Sequence, residues 1–378
     1  MNKTICHLII NTGVGGAELA MMRLMRETMH NYNHILISMM AKEKVGKKIE
    51  NYGIKVIELG ISKNPITFFR MAKIFKIIHN EKPNLIISWM YHANLISLLL
   101  SPFYKVIWNI RHSLDDIKRE KKLTRLLIYI LGWLSKVPLK IIFNSTRSKN
   151  QHCNILNYTE RNSEVIHNGV NIQEFYPNNK IRREKRKELN LLNDDIVIGH
   201  AARFHPVKNH TIFLKAFKAV SVRNPRVKAI LCGRGVSMEN LEFKQIIYKY
   251  KIEDKVICLG ELKNLNEFYN TLDLFVLSSN SEGFPNVLIE AMSCGIRVVS
   301  TNVGEVHKVI QNKDYIVPPR NYKLLEGAIN SVIKMKNDII ISNQINNRNI
   351  VVNRFNSLTS TKLFINIISS IISLKKNS

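Results

Sequence analysis

The residues with the clearest chemical meaning lie between Ser281 and Gly295. There Glu282-Gly283-Phe284-Pro285-Asn286 opens a segment whose Val287, Leu288, Ala291 and Met292 recur at helical spacing. Pro285 fits the first helical position and Gly295 the position just past the end, so the pattern predicts strand, loop and helix. The N–H groups of that first turn, at about Pro285 to Leu288, would favour an anion such as a diphosphate. Glu290 falls inside the helix, and eight helical steps separate it from Glu282, about 12 Å, which exceeds the roughly 5 to 9.5 Å of a glycosidase carboxylate pair. The two acids are better placed to hold one ligand at two points, because a carboxylate accepts two hydroxyl hydrogen bonds at once, as a ribose diol or a sugar offers. A Glu meeting the helix dipole beside a solvated second Glu would leave the same pattern.

A second cluster, Ala201-Ala202-Arg203-Phe204-His205-Pro206-Val207-Lys208-Asn209, follows an apolar strand. An Arg fork and a Lys point charge leaving one strand end can clamp a departing diphosphate, though two solvated surface cations would read alike. Asn11-Thr12-Gly13-Val14-Gly15-Gly16-Ala17-Glu18 joins a strand to a helix, yet GxGxxG is not satisfied and no acid ends the next strand, which disfavours a nicotinamide cofactor. His92 and His112 each follow an apolar strand, with Arg111 directly before the latter, and either histidine suits a neutral donor or acceptor. No DxD, HExxH, Walker A or GxSxG pattern is present, so metal-held phosphate, zinc hydrolysis, P-loop and serine-esterase chemistry lack their residues.

The elements that must position these groups alternate between short apolar runs and longer helical stretches, the signature of βαβ units and a parallel sheet. Strands are predicted at 5–10, 33–39, 55–59, 85–88, 106–110, 141–144 and 164–166, and again at 196–201, 227–232, 255–259, 274–278 and 297–300. Between the two series runs a basic, polar stretch from Asn178 to Asn193, the best boundary on composition, and three helices close the chain at about 321–337, 338–353 and 358–374. The length of 378 residues fits two domains better than one.

Lys+Arg number 56 against 29 Asp+Glu, and the net charge of +27 is spread over both halves, which should draw the protein toward polyanions. The five cysteines form no CxxC pair and sit mostly in apolar runs, as reduced core residues of a cytoplasmic protein do. The greasy stretches 123–134 and 363–374 are too short to span a bilayer. Lys118, Arg119, Lys121, Lys122 and Arg125 precede the first of them, which reads equally as an interfacial contact with anionic membrane and as a core helix with a solvated basic start.

Gly15-Gly16-Ala17-Glu18, His167-Asn168-Gly169-Val170-Asn171 with Phe175 and Pro177, Arg203 with Lys208-Asn209, Gly233-Arg234-Gly235 and the Glu282 to Glu290 segment together resemble the family 4 retaining glycosyltransferases. The resemblance covers nearly the whole chain and departs from the commonest form at Ala202, where Gly is usual, and at Arg111. It implies the α/β GT-B fold: two Rossmann-like domains facing across a cleft, an acceptor domain (1–177), a nucleotide-sugar domain (178–356) and a C-terminal helix (357–378) returning to the first. It also implies metal-independent transfer, with no cofactor, from a nucleoside diphosphate sugar, a UDP-sugar carrying a hexose or N-acetylhexosamine, to a saccharide acceptor. The acceptor would be lipid-linked, in O-antigen or capsule assembly at the cytoplasmic face of the membrane. Arg203 and Lys208 would hold the diphosphate, Glu290 the ribose, and Glu282 with N–H groups of Gly283, Phe284 and Pro285 the sugar hydroxyls. Gly15, Gly16, Gly233, Asn286 and Val287 would line the donor, Leu262 would lie near the base, and His112 beside the reacting sugar. The competing readings are a sugar-nucleotide 2-epimerase of similar fold, and a charge-driven nucleic-acid-binding protein for which no reading element is seen.

Overall fold

The computed structural model describes residues 3–62, 70, 72–115, 117 and 120–374. The chain divides into two compact units, one of residues 1–168 and 358–378 and one of residues 169–357.

The first unit is built on β1 (Lys3–Ile9), α1 (Gly16–Thr28), β2 (Tyr32–Ser38), α2 (Lys44–Asn51), β3 (Lys55–Glu58), α3 (Ala72–Glu81), β4 (Leu85–Trp89), α4 (Met90–Leu100), β5 (Val106–Ile110), α5 (Lys122–Trp133), β6 (Lys140–Phe143), α6 (Thr146–Leu156) and β7 (Ser163–Val165). Its strands pair in parallel in the order β3-β2-β1-β4-β5-β6-β7. Alternation along each strand sends residues to opposite faces: Cys6, Leu8, Ile86, Trp108 and Ile141 pack under α3 to α6, while Ile5, Ile9, Ile87, Ile107 and Ile142 pack under α1, α2 and the last helix of the chain.

The second unit comprises α7 (Asn179–Glu188), β8 (Ile196–Ala201), α8 (His210–Arg223), β9 (Val227–Cys232), α9 (Leu241–Tyr250), β10 (Val256–Cys258), α10 (Leu265–Thr271), β11 (Leu274–Leu277), α11 (Asn286–Ser293), β12 (Arg297–Thr301), α12 (Val306–Val309), β13 (Ile316–Val317), α13 (Tyr322–Ile333) and α14 (Asn337–Arg354). Its sheet is parallel in the order β10-β9-β8-β11-β12-β13, with α8, α9 and α13 on one face and α10, α11 and α14 on the other. The final helix, α15 (Ser357–Ser373), returns to the first unit and buries Phe364, Ile367, Ile368 and Ile371 there.

Two expectations need adjustment. The two-residue strand β13 carries too little pattern to be seen in sequence, and it is placed by pairing with Ser300 and Thr301. The basic stretch after Pro177 is a helix docked on the second unit: Arg182 and Arg186, one turn apart, both reach the Asp273 carboxylate at 2.6 and 3.2 Å. Residues 169–177 also belong to that unit, through Val170 and Phe175 in its core, so the chain crosses at Asn168/Gly169 and not at 177/178. Backbone bonds from Val170 N to Phe355 O (2.8 Å) and from Ser357 N to Val170 O (2.9 Å) tie the two crossing segments together. Gly169 is obligatory there, since a Cβ would lie 2.4 Å from the Ser357 Cα.

Candidate active site

In an open parallel sheet, a ligand crevice forms where neighbouring strands send their connections in opposite directions. In the second unit that point lies between β8 and β11, and the loops that leave them carry Arg203 to Asn209 and Ser278 to Pro285. The loops are laced together by Asn280 N to Val207 O (2.7 Å), Asn209 Nδ2 to Asn280 Oδ1 (2.9 Å), and Ser278 Oγ to the carbonyls of Lys208 and Asn209 (3.1 and 3.2 Å). Asn209 sits at φ 52°, a conformation Asn tolerates, and caps α8 through its side chain.

This lacing brings Lys208 and Glu282 into an ion pair at 2.6 Å, and Ser279 Oγ donates to the same carboxylate oxygen at 2.5 Å. The Glu282 side chain is mostly buried, at 11% exposure, and Lys208 is at 24%, so the pair is held in a partly desolvated crevice where charge is strongly felt. Burial first, then Arg203, five residues earlier on the same loop, and Lys208 itself hold the pKa of His205, which lies between them, below its usual value.

On the next element Glu290 Oε2 accepts from Tyr269 Oη at 2.9 Å. Burial, and then the Glu290 charge, hold the Tyr269 phenol well above its ordinary range, so it remains a donor. Phe284 is buried in the core beneath, and Leu262 and Val287 pack partly buried against the same cluster. Gly233, after β9, sits at φ 139°, and a Cβ there would lie 2.0 Å from the Ala202 carbonyl, which only glycine allows. Gly304 crosses close over the Glu282 and Gly283 carbonyls in the same way.

The expected helix tip is corrected in one respect. Pro285 is the N-cap residue and α11 starts at Asn286; as an imino acid Pro285 has no N–H to offer a ligand. The Asn286 N–H donates to Phe284 O and the Leu288 N–H to Pro285 O, both at 3.0 Å, so the tip presents fewer donors than a regular first turn. A separate cavity, lined by Arg297, Ile310, Tyr315, Met335 and Asn343, lies at the amino end of β12 and includes none of these residues.

In the first unit the equivalent point lies between β1 and β4. The loop after β1 leads through Gly15, the N-cap of α1, to Gly16; Thr12 is fully buried and its hydroxyl accepts from Glu43 N at 2.8 Å. Beyond β5, Arg111 and His112 part company. The Arg111 guanidinium donates to Asn109 (2.9 Å) and Asn168 and lies over the rings of Trp89 and Phe364, a structural position; burial and then Arg23 push it down to about 9, still charged at neutral pH. His92 is an exposed residue of α4.

His112 is positioned by a relay whose protons can be assigned. His152 Nδ1 lies 2.8 Å from the Ser148 carbonyl, which only accepts, so Nδ1 carries the proton and Nε2 accepts from Tyr91 Oη at 2.8 Å. Tyr91 then has only lone pairs left for His112 Nδ1 at 3.3 Å, which fixes a hydrogen at Nδ1. Burial pushes His152 down to about 3 and the Tyr91 phenol well up, so neither group leaves this state at neutral pH. His112 Nε2 lies 3.4 Å from Glu120 Oε1, and the hydrogen bond from that histidine, more than any other cause, holds the Glu120 carboxyl below its usual range. Tyr91, His152, Glu120, Tyr269 and Ser279 carry no sequence motif, and only the tertiary structure reveals them.

Comparison with known proteins supplies the context. Residues 14–174 match the family Glycosyltransferase Family 4, and residues 181–349 match Glycosyl transferases group 1. EpsF of Bacillus subtilis, a glycosyltransferase candidate, is 32% identical over 37% of this chain and 36% of its own length. The capsular polysaccharide biosynthesis glycosyltransferase CapM of Staphylococcus aureus is 25% identical over 82% of this chain and 84% of its own. The UDP-Gal:alpha-D-GlcNAc-diphosphoundecaprenol alpha-1,3-galactosyltransferase of Escherichia coli is 26% identical over 51% and 50%. The chain thus spans only a third to a half of two of these relatives. Among solved structures, Anabaena Alr3699/HepE in complex with UDP and glucose superposes with a TM-score of 0.86 over 98% of this chain and 100% of that one, at 21% identity, which fixes the fold as GT-B. With the two family signatures falling in succession on the two Rossmann-like units, the chain belongs to the family 4 glycosyltransferases.

Proposed function

We propose that this protein is a retaining glycosyltransferase that moves a hexose or N-acetylhexosamine from a UDP-sugar to a lipid-linked saccharide in the assembly of a bacterial surface polysaccharide. The observation that carries the reading is the Lys208–Glu282 pair at the β8/β11 crevice, with Glu290 on the adjoining helix. In this reading Arg203 and Lys208 take the diphosphate, and Lys208 exchanges Glu282 for phosphate oxygens as leaving-group charge develops. Glu282 is then released to accept donor-sugar hydroxyls. Glu290, oriented by Tyr269, accepts the ribose hydroxyls, with Leu262 beside the base and Gly233, Gly283, Phe284, Asn286 and Val287 along the donor. Fixed cations stabilise the departing phosphate without any need for a metal, and the acceptor proton can pass to that phosphate. The first unit takes the acceptor, with Gly15, Gly16 and His112 at its own strand ends. A lipid-linked acceptor, the kind named for the E. coli galactosyltransferase, would put this protein at the cytoplasmic face of the cell membrane.

The test is thermal stabilisation by a panel of nucleoside diphosphate sugars, since a ligand at 100 Kd adds about 2.7 kcal/mol. The expected result is stabilisation by one UDP-sugar that Glu290→Gln removes. No response to any member of the panel refutes the reading. Isomerisation of the donor without acceptor would instead identify a 2-epimerase.

A further inference from the structure

The solvent side of α5 is built the wrong way round for a helix that faces water. Its outward positions, recurring at intervals of three and four, are Lys122, Leu123, Leu126, Tyr129, Ile130 and Trp133. Leu123 is 80% exposed and Trp133 78%, while Leu127, Ile128 and Leu131 serve the core behind them. The neighbouring α4 packs against α5 through the same core cluster and exposes Leu99 and, just past its end, Phe103 at 60% and 67%. Two adjacent helices therefore each leave large apolar side chains in solvent, a feature soluble surfaces rarely show in such number.

The charge around this face selects its occupant. Lys121 and Lys122 lie at the start of α5, Arg125 in its first turns and Lys136 past its end, and α5 contains no acidic residue. Lys118 and Arg119, which belong to the same basic run in sequence, lie outside the described residues. An apolar helix face with tyrosine and tryptophan at its rim and lysines at its ends matches a bilayer interface, where rings settle at headgroup level and cations meet anionic lipid. No described helix is long and apolar enough to cross a membrane, and the 12 residues of α5, about 18 Å, suit a helix lying in the plane.

We infer that α4 and α5 of the first unit form a membrane-docking face that inserts Leu123, Leu126, Tyr129, Ile130 and Trp133 into the headgroup region of anionic lipid. The face also bears on the acceptor, a point that rests on the proposed function. Glu120, two residues before α5, stands 3.4 Å from His112 Nε2, so the basic end of the docking helix adjoins the end of the sheet where His112 lies. A saccharide on a lipid carrier held at that surface would be presented to His112.

The experiment is flotation of the full chain with phosphatidylcholine vesicles, with and without phosphatidylglycerol, together with tryptophan fluorescence. Trp89 and Trp108 are fully buried, so a blue shift on adding vesicles reports Trp133. Expected are binding and a blue shift with the anionic vesicles, at least tenfold weaker binding for L123E/W133E, and loss of the preference for anionic lipid in K121E/K122E. Donor-induced thermal stabilisation should be unchanged in L123E/W133E, which shows that this variant folds. Failure to float with anionic vesicles overturns the inference. Equal flotation of wild type and L123E/W133E also overturns it, and so does a concentration-dependent dimer that L123E/W133E abolishes without vesicle binding. Vesicle binding without response to any nucleotide sugar would leave the docking face standing and remove the transferase reading.

Discussion

The two units share a plan, a parallel sheet with its switch point beside the first strand, but they hold their candidate site residues by opposite means. In the second unit, short loops stitched backbone to side chain press Lys208 against Glu282, and charge is kept in a partly desolvated crevice. In the first, a relay running from the buried Ser148, His152 and Tyr91 to the partly exposed His112 orients one imidazole, and a second buried pair, His7 and His34 at 3.0 Å, braces the opposite face. One arrangement suits holding a charged ligand; the other suits orienting a single imidazole. The lesson is that the same topology yields an ion-paired or a relay-held site according to which side chains close the strand ends.

The sharpest way to break that contrast is to remove the ionic half. Lys208→Ala should lower turnover at least about 10²-fold, as loss of one preorganised donor does; near-normal nucleotide release in a steady-state assay would refute the clamp. Gly233→Ala should lower stability by about 3 kcal/mol, because the new Cβ meets the Ala202 carbonyl in a backbone conformation that disfavours it, and urea unfolding measures the loss.

Acid should separate the units next. His34 and His200 are pushed down to about 4 and His152 to about 3, chiefly by burial, and His7 well below its usual range. Unfolded histidines near 6.5 bind protons that these folded ones refuse, so stability is full above pH 6.5 and is lost as pH falls from 6.5 toward 4, by about 1.4 kcal/mol per pH unit per histidine. The first unit holds three such histidines, His7, His34 and His152, against His200 and His210 in the second. Tryptophan fluorescence reports only the first unit, where all three tryptophans lie, and its unfolding midpoint should fall faster with acid than that seen by circular dichroism.

Two phenol deletions sharpen the comparison further. Tyr269→Phe should weaken donor binding about fivefold with kcat unchanged, whereas Tyr91→Phe should lower kcat about fivefold and alter its pH profile with donor affinity unchanged, each corresponding to about 1 kcal/mol for one hydrogen bond. Calorimetric titration and a pH–rate series distinguish them. The smallest effect belongs to Lys185, which bridges Glu188 and Glu267 at 2.9 and 2.8 Å on the surface; Lys185→Ala should cost no more than about 0.5 kcal/mol and leave turnover untouched.

The sequence by itself determined the periodicity: β5, β8 and β9 match the predicted strands residue for residue, and the Glu282 to Gly295 segment reads as loop and helix because apolar spacing, proline and glycine are local signals. It also determined that Arg203 and Lys208 leave one strand end. Only the tertiary structure decided that Lys208 pairs with Glu282, that Tyr269 serves Glu290, that Arg111 turns to Trp89 while His112 is held by Tyr91, and that the outer face of α5 lacks a cover. The reason is physical: propensity and burial patterns are set by near neighbours along the chain, whereas a hydrogen bond between residues 74 or 61 positions apart exists only once parallel strands have brought their carboxyl ends together.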